Sequence, residues 1–157
     1  MANHIRQQIR ERIGTTLTGL STTGSNVYQS RVYNLEDSTL PALIIYTKSE
    51  DSQLLEMGST RTLQRDLSLV VEAYVKANSN YDDTIDTISK EIEAAMAADV
   101  THNSLARDTF LSSTEINYNG EGDQPIAVMS LVYNVTYLTT EAAADSALWG
   151  FLWKIKM

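Results

Sequence analysis

Isoleucine and leucine recur at every fourth position near the start of the chain, at Ile5, Ile9, Ile13 and Leu17. That step keeps all four side chains on one stripe of a helix over residues 3–20. Arg6 and Arg10 form a neighbouring basic row. Gly14 and the threonine-rich end weaken the last turns, and residues 19–25 read as a loop. The period then changes from four to two. Residues 27–33 alternate among β-formers and predict a strand, and 34–40 are polar and turn-like. Pro41 opens the run Ala42-Leu43-Ile44-Ile45-Tyr46-Thr47. Its unbroken apolar character predicts a strand buried on both faces, hence central in a sheet.

Residues 48–60, KSEDSQLLEMGST, form the longest internal break, mostly polar but holding Leu54, Leu55 and Met57. An alternating stretch follows with Leu63, Leu67, Leu69, Val71, Ala73 and Val75 on one face. Fifteen or so residues of strand span about 50 Å. That length predicts a hairpin over 42–76 whose tip projects from the domain. Apolar residues at such a tip fit a partner contact and a loose loop equally well.

Asn80, Asp82 and Asp83 are residues that favour a helix start, and Ile85, Ile88, Ile92 and Met96 continue at helical spacing to Ala98. Residues 99–108 read as a polar connection, 111–118 as a strand, 119–123 as a turn, and 126–139 as a second long strand. These predict a closing antiparallel hairpin. Ala142 to Leu148 favours helix, and Trp149, Phe151, Leu152, Trp153 and Ile155 then crowd the end of the chain. So much apolar surface must dock, either on the domain's own core or on another subunit. The core elements look complete without it and aromatic residues anchor interfaces, which favours the second.

The order helix, three strands, helix, two strands, tail predicts an α+β fold. It has a mostly antiparallel sheet of four to five strands with two main helices packed on one face. Residues 1–140 form one domain, and 141–157 form an aromatic tail read as an interaction segment.

At 157 residues, with 43% hydrophobic and 20% charged content, the chain suits one globular domain. The absence of cysteine removes thiol catalysis, thiolate zinc sites and disulfides. A formal charge of −8 argues against a surface built to grip nucleic acid. Residues 1–33 nevertheless sum to +3, leaving −11 for the rest. This suits a solvated helix face or, more sharply, a basic patch at Arg6 and Arg10 that meets an acidic patch on a neighbouring subunit. No stretch approaches the roughly 20 apolar residues of a membrane helix, and no secretory signal is visible, so a soluble intracellular protein is expected.

Chemistry is sparse. His4 and His102 lie in no metal-binding spacing and read as exposed surface residues. Without a placed histidine or any cysteine, an acyl-transfer triad lacks its base. Glu91 and Glu93 are two apart on a helix and do not share a face. Asp82, Asp83 and Asp86 could hold a cation, but helix-start stabilisation explains them more simply. Gly120 and Gly122 flank Glu121, which would repel phosphate. The expectation is therefore no catalytic residue, no cofactor and no metal.

A single acidic domain with a projecting hairpin and an aromatic tail suits a building block of an assembly. The helix IRQQIRERIGTTL, then VYQSRVY, then LPALIIYTKSED, is similar to the opening of the tail terminator proteins of long-tailed bacteriophages, the minor tail protein U type. LSLVVEAYVKANSNYDDTIDTISKEIEAAMAAD resembles that family's strand followed by a helix with an early acidic pair, and NYNGEGDQPIAVMSLVYNVTYLT resembles its closing hairpin. The resemblance covers residues 5–139 and implies a homo-hexameric ring in the virion. That ring caps the head-proximal end of the tail tube, stops tube polymerisation and meets neck or head-completion proteins. It implies assembly in the host cytoplasm, with DNA passing through the lumen without specific binding and no membrane involved. Arg6, Arg10, Leu54, Leu55, Met57, Trp149, Phe151 and Trp153 are the expected subunit or partner contacts. Two other readings stand beside it: another neck, connector or tail-tube ring component of a phage or injection machine, and a small enzyme working with carboxylates.

Overall fold

In a computed structural model, which describes residues 2–29, 40–58, 61–77, 80–119 and 125–148, the first apolar stripe forms helix α1 (Ile5–Leu17). Ile5, Ile9, Ile13 and Leu17 are all buried. His4 caps its start, its ring Nδ1 accepting the Arg6 backbone N–H at 3.0 Å. The helix ends at Thr18, which is extended, and Gly19 then turns into the left-handed region at φ 95°, a conformation that glycine adopts without steric cost. Helix α2 (Tyr81–Ala98) starts from Asn80, with Asp82 and Asp83 in the first turn facing the positive end of the helix dipole. Its apolar row, Ile85, Ile88, Ile92 and Met96, is buried.

Five strands make one sheet: β1 (Val27–Tyr28), β2 (Ala42–Glu56), β3 (Thr62–Lys76), β4 (Asp108–Asn119) and β5 (Ile126–Thr140), in the order β1-β2-β3-β5-β4. The two-residue β1 pairs parallel with β2, and every other pairing is antiparallel. The α+β class and the mostly antiparallel sheet are those the sequence predicts. Both helices cover one face, where Leu43, Ile45, Leu67, Leu69, Val71, Ala73, Leu131, Tyr133, Val135 and Tyr137 meet the helix stripes. Alternation puts those residues on one side because successive strand side chains point to opposite faces.

Several boundaries differ from the expectation. Residues 48–56 are not a break: β2 runs on through them and pairs with β3 as far as Glu56↔Thr62. The polar composition hid the strand because, among the described residues, β2 has no neighbour on its other side beyond Ile44, so this half needs no apolar faces. A bulge at Lys48, between Thr47 and Ser49, shifts the register by one residue. β3 pairs with β5 along its whole length, to Thr62↔Thr140, so the outer hairpin is flanked by a third strand. Residues 142–148 are turns rather than a helix, tied back by Leu148 N–H to the Leu138 carbonyl at 2.9 Å and by Ile5 N–H to the Ala144 carbonyl at 2.9 Å. Of the strand expected over 27–33, the structure shows Val27–Tyr28. Residues 30–33 and the aromatic run Trp149, Phe151 and Trp153 lie outside the described residues.

Candidate functional site

The bulge at Lys48 decides where Glu50 points. Without it, Glu50 would face away from the helices; with it, Glu50 stands opposite Leu67 on the helix-bearing face. There its carboxylate is only 10% exposed and gathers three donors. Arg6 Nη1 donates to Oε2 at 2.7 Å, Arg65 Nη1 to the same oxygen at 3.3 Å, and the Tyr137 hydroxyl donates to Oε1. Arg65 also donates from Nε to Thr139 Oγ1 at 3.0 Å, and its guanidinium lies 6.0 Å from the Tyr137 ring centre. Burial, then the hydrogen bond to Glu50, drives the Tyr137 hydroxyl far above the ordinary phenol range. His4 closes the cluster; burial first, then Arg6 and Arg65, push its ring down from 6.5. The network ties the start of α1 to β2, β3 and β5.

The connection between α2 and β4 holds a second buried polar group. His102 is 1% exposed, not a surface residue as its polar surroundings suggest. Its Nε2 lies 2.8 Å from Thr109 Oγ1, and that hydroxyl donates onward to the Val100 carbonyl at 2.8 Å. The hydroxyl proton is thus committed, so Nε2 carries the ring proton and Nδ1 is left as a buried acceptor with no partner. Burial pushes the ring's pKa down from 6.5. His102, Asn103 and Ser104 all take left-handed backbone, at φ 50°, 62° and 66°. Asp99 holds this turn by accepting the Asn103 N–H at 2.9 Å, the Thr101 hydroxyl at 2.8 Å and the Thr101 N–H at 3.1 Å, and these bonds hold its carboxyl below 3.8. The turn is a structural element. Among the described residues no group of three His, Asp or Glu side chains could hold a metal ion.

The surfaces that remain are the sheet's edges and its other face. The expected contact residues separate here. Arg6 is drawn into the Glu50 pair with 38% of its side chain exposed, and Arg10 is half-buried, its Nε hidden without a hydrogen-bond partner. Leu54 is half-buried, while Leu55 (42% exposed) and Met57 (87%) stand in solvent at the hairpin tip. Sequence reading missed the opposite edge. β4 is exposed on both faces from Ser112 to Tyr118, with Phe110, Ile116 and Tyr118 each about half exposed. Alternation marks β4 as a strand, but that one of its sides lacks a neighbour follows only from the order of the sheet. The Tyr118 ring stacks on Tyr81 at 5.6 Å, anchoring this corner to α2.

The second face of the sheet carries no described helix. Registers place Asp51, Glu56, Asp66, Glu72, Asp108 and Glu115 on it, with Lys76 as the cation among them. Its β5 strip is Val128, Ser130, Val132, Asn134 and Thr136, all half-buried, and Thr136 donates to Asp66 at 2.7 Å. The face also carries Ala42, Ile44, Val70 and Leu138, all buried, so it is acidic without being polar throughout.

Comparison with known proteins identifies the context. No curated protein matches the chain. Among solved structures, a chain in the virion of the native gene transfer agent particle aligns over 85% of this chain and 90% of that one, at 13% identity and a TM-score of 0.37. The family described as phage minor tail protein U matches residues 4–137, which take in both helices and nearly all of the sheet. The chain belongs to the phage minor tail protein U family and is a structural protein of the phage tail and virion.

Proposed function

We propose that this protein forms a homo-hexameric ring at the head-proximal end of the tail tube, ends tube polymerisation there and joins the tail to neck or head-completion proteins. Family membership sets the frame. The observation within this chain that supports a ring is the acidic face without a described helix, with six carboxylates against Lys76. Turned inward, such a wall repels phosphate and lets DNA pass without sticking. Six copies at −8 each deepen that field. The role is non-catalytic. The tip residues Leu55 and Met57 meet the tube or neck, where apolar side chains standing in water gain by being covered.

Light scattering of the purified protein at low and high salt, alone and with tail tubes, tests the reading. A hexamer, or a monomer that becomes one on tubes, is the expected result. A chain that stays monomeric in every mixture overturns it. Gold labelling of assembled particles must then fall at the head-proximal end of the tail.

A further inference from the structure

We infer that copies of this chain join edge to edge, β4 of one pairing antiparallel with the outer half of β2 of the next, with Asp51 opposite Asn117 and Gln53 opposite Glu115. The inference rests on the ring proposed above and names its seam.

Four observations converge. Among the described residues both edges are open: β1 covers β2 only at Leu43 and Ile44, and nothing pairs with the outer side of β4. Bulges interrupt both edges, at Lys48 and Leu55 in β2 and at Ser112 in β4, and β2 carries Lys48, Glu50, Asp51 and Glu56, but β4 is unbroken from Ser113 to Tyr118. β4 holds Glu115 as its one charge between Phe110 and Tyr118, and it contains no lysine or proline. An edge of this composition is a template for another strand. Second, directions match. In the order β1-β2-β3-β5-β4, β2 and β4 run opposite ways, so two copies set side by side in the same orientation present an antiparallel pair. Such a contact is heterologous, the kind that closes a ring.

Third, the faces match. Leu54 on β2 and Ile116 on β4 both lie on the helix-bearing side, since Leu54 opposes Leu63 and Ile116 opposes Met129. Fourth, charge selects the register. With Asp51 opposite Asn117 and Gln53 opposite Glu115, each carboxylate meets an amide, and Ser52 meets Ile116 with Leu54 diagonal to it. Sliding two residues one way sets Asp51 against Glu115, and two the other way sets Glu115 against Leu55. A slide of one residue exchanges the faces. In the chosen register Asn119, the last residue of β4, falls opposite Ser49, so the incoming strand ends before the part of β2 that β1 occupies. Each copy is then displaced along the strands by about eight residues, on the order of 27 Å, and stagger of this kind is what closed sheets require.

The chain has no cysteine, so paired cysteines report the seam cleanly. Asp51 and Asn117 are both exposed, so replacing them leaves the fold intact. Within one copy β3 and β5 separate their strands by about 14 Å, beyond disulfide reach. Mild oxidation of Asp51→Cys/Asn117→Cys, with light scattering on the same sample, is the test. The expected result is a ladder of covalent multimers at least tenfold stronger than in either single variant or in the opposite-face control Asp51→Cys/Ile116→Cys. Ile116→Lys, at an exposed position, lowers the oligomer population at least tenfold without moving the melting temperature. An oligomer whose double variant links no better than the single ones overturns the seam and leaves the ring standing. Covalent dimers from Asn117→Cys alone mean that β4 pairs with β4, which also overturns it. A chain that is monomeric under the linking conditions overturns both seam and ring.

Discussion

Glu50 shows how one side chain can hold three elements. Its oxygens serve Arg6, Arg65 and Tyr137 with 10% of the carboxylate exposed. Glu50→Ala strands a buried guanidinium and hydroxyl, and loss of one member of a buried pair costs about 3 kcal/mol. Urea denaturation should read that loss, and the melting temperature should fall by on the order of 9 °C. Arg6→Gln should cost less than about 1 kcal/mol, because Arg6 is the more exposed donor and Arg65 stays in place. Equal losses from the two would contradict this ordering. The histidines give a pH dependence of definite sign. Both rings have folded pKa values below the unfolded 6.5, so the folded state binds fewer protons. Their contribution is full above about 6.5 and declines as pH falls through that value toward the folded pKa values. The urea midpoint should therefore be lower at pH 5.5 than at 7.5. His4→Asn, which caps without titrating, should remove only the His4 share; a midpoint unchanged across that range refutes the assignment. Neither role was legible in the sequence. His102 looked exposed because its neighbours are polar, and burial there comes from a left-handed turn that only Asp99 and the fold can specify.

At the scale of elements the periodicities carried most of the fold. Both helices lie where steps of three and four residues put them, and β3 and β5 lie where two-residue alternation did. Misreading concentrated at the edges. β4 was legible as a strand over 111–118, short of its start at Asp108, whereas the outer half of β2 packs on one neighbour only and is mostly exposed, so burial does not force apolar residues on it and its composition resembles a loop. The bulge at Lys48 compounded this by breaking the alternation. Gly14 in α1 offers a test of local propensity. A Cβ there would lie 2.6 Å from the Gln29 amide nitrogen, the far end of an exposed side chain that can swing away. Gly14→Ala should therefore stabilise the protein by up to about 1 kcal/mol, read as a higher urea midpoint. Destabilisation would mean that Gln29 is fixed in place.

For the whole molecule, family membership makes surfaces the seat of function. Leu55 and Met57 stood out in the sequence as apolar residues in a polar stretch, and they are exposed. Leu55→Ser with Met57→Ser should keep stability within about 0.5 kcal/mol while tail joining, counted by electron microscopy, falls severalfold. Full joining would remove the tip from the contact. The double substitution leaves intact the β2–β3 ladder to which Asp51 to Leu54 and Glu56 belong. Charge reversal at Arg6 reports on folding first, since a carboxylate there would face Glu50; the basic row is better probed at Arg10. The β4 edge was not legible, because a strand's lack of a neighbour is a property of sheet order. That order also sets a clock for synthesis. β2 and β3 leave the ribosome as a finished hairpin, yet the partner of β3 on its other side is β5, and even the nearest pair, Lys76 and Ile126, is fifty positions apart. At ribosomal speed those fifty residues leave β3 uncovered for about 3 to 10 seconds, while α2 and β4 are made. The nascent chain is most open to wrong pairing in that interval, and crowding many ribosomes on one message should lower the yield of folded protein more than slowing each of them does.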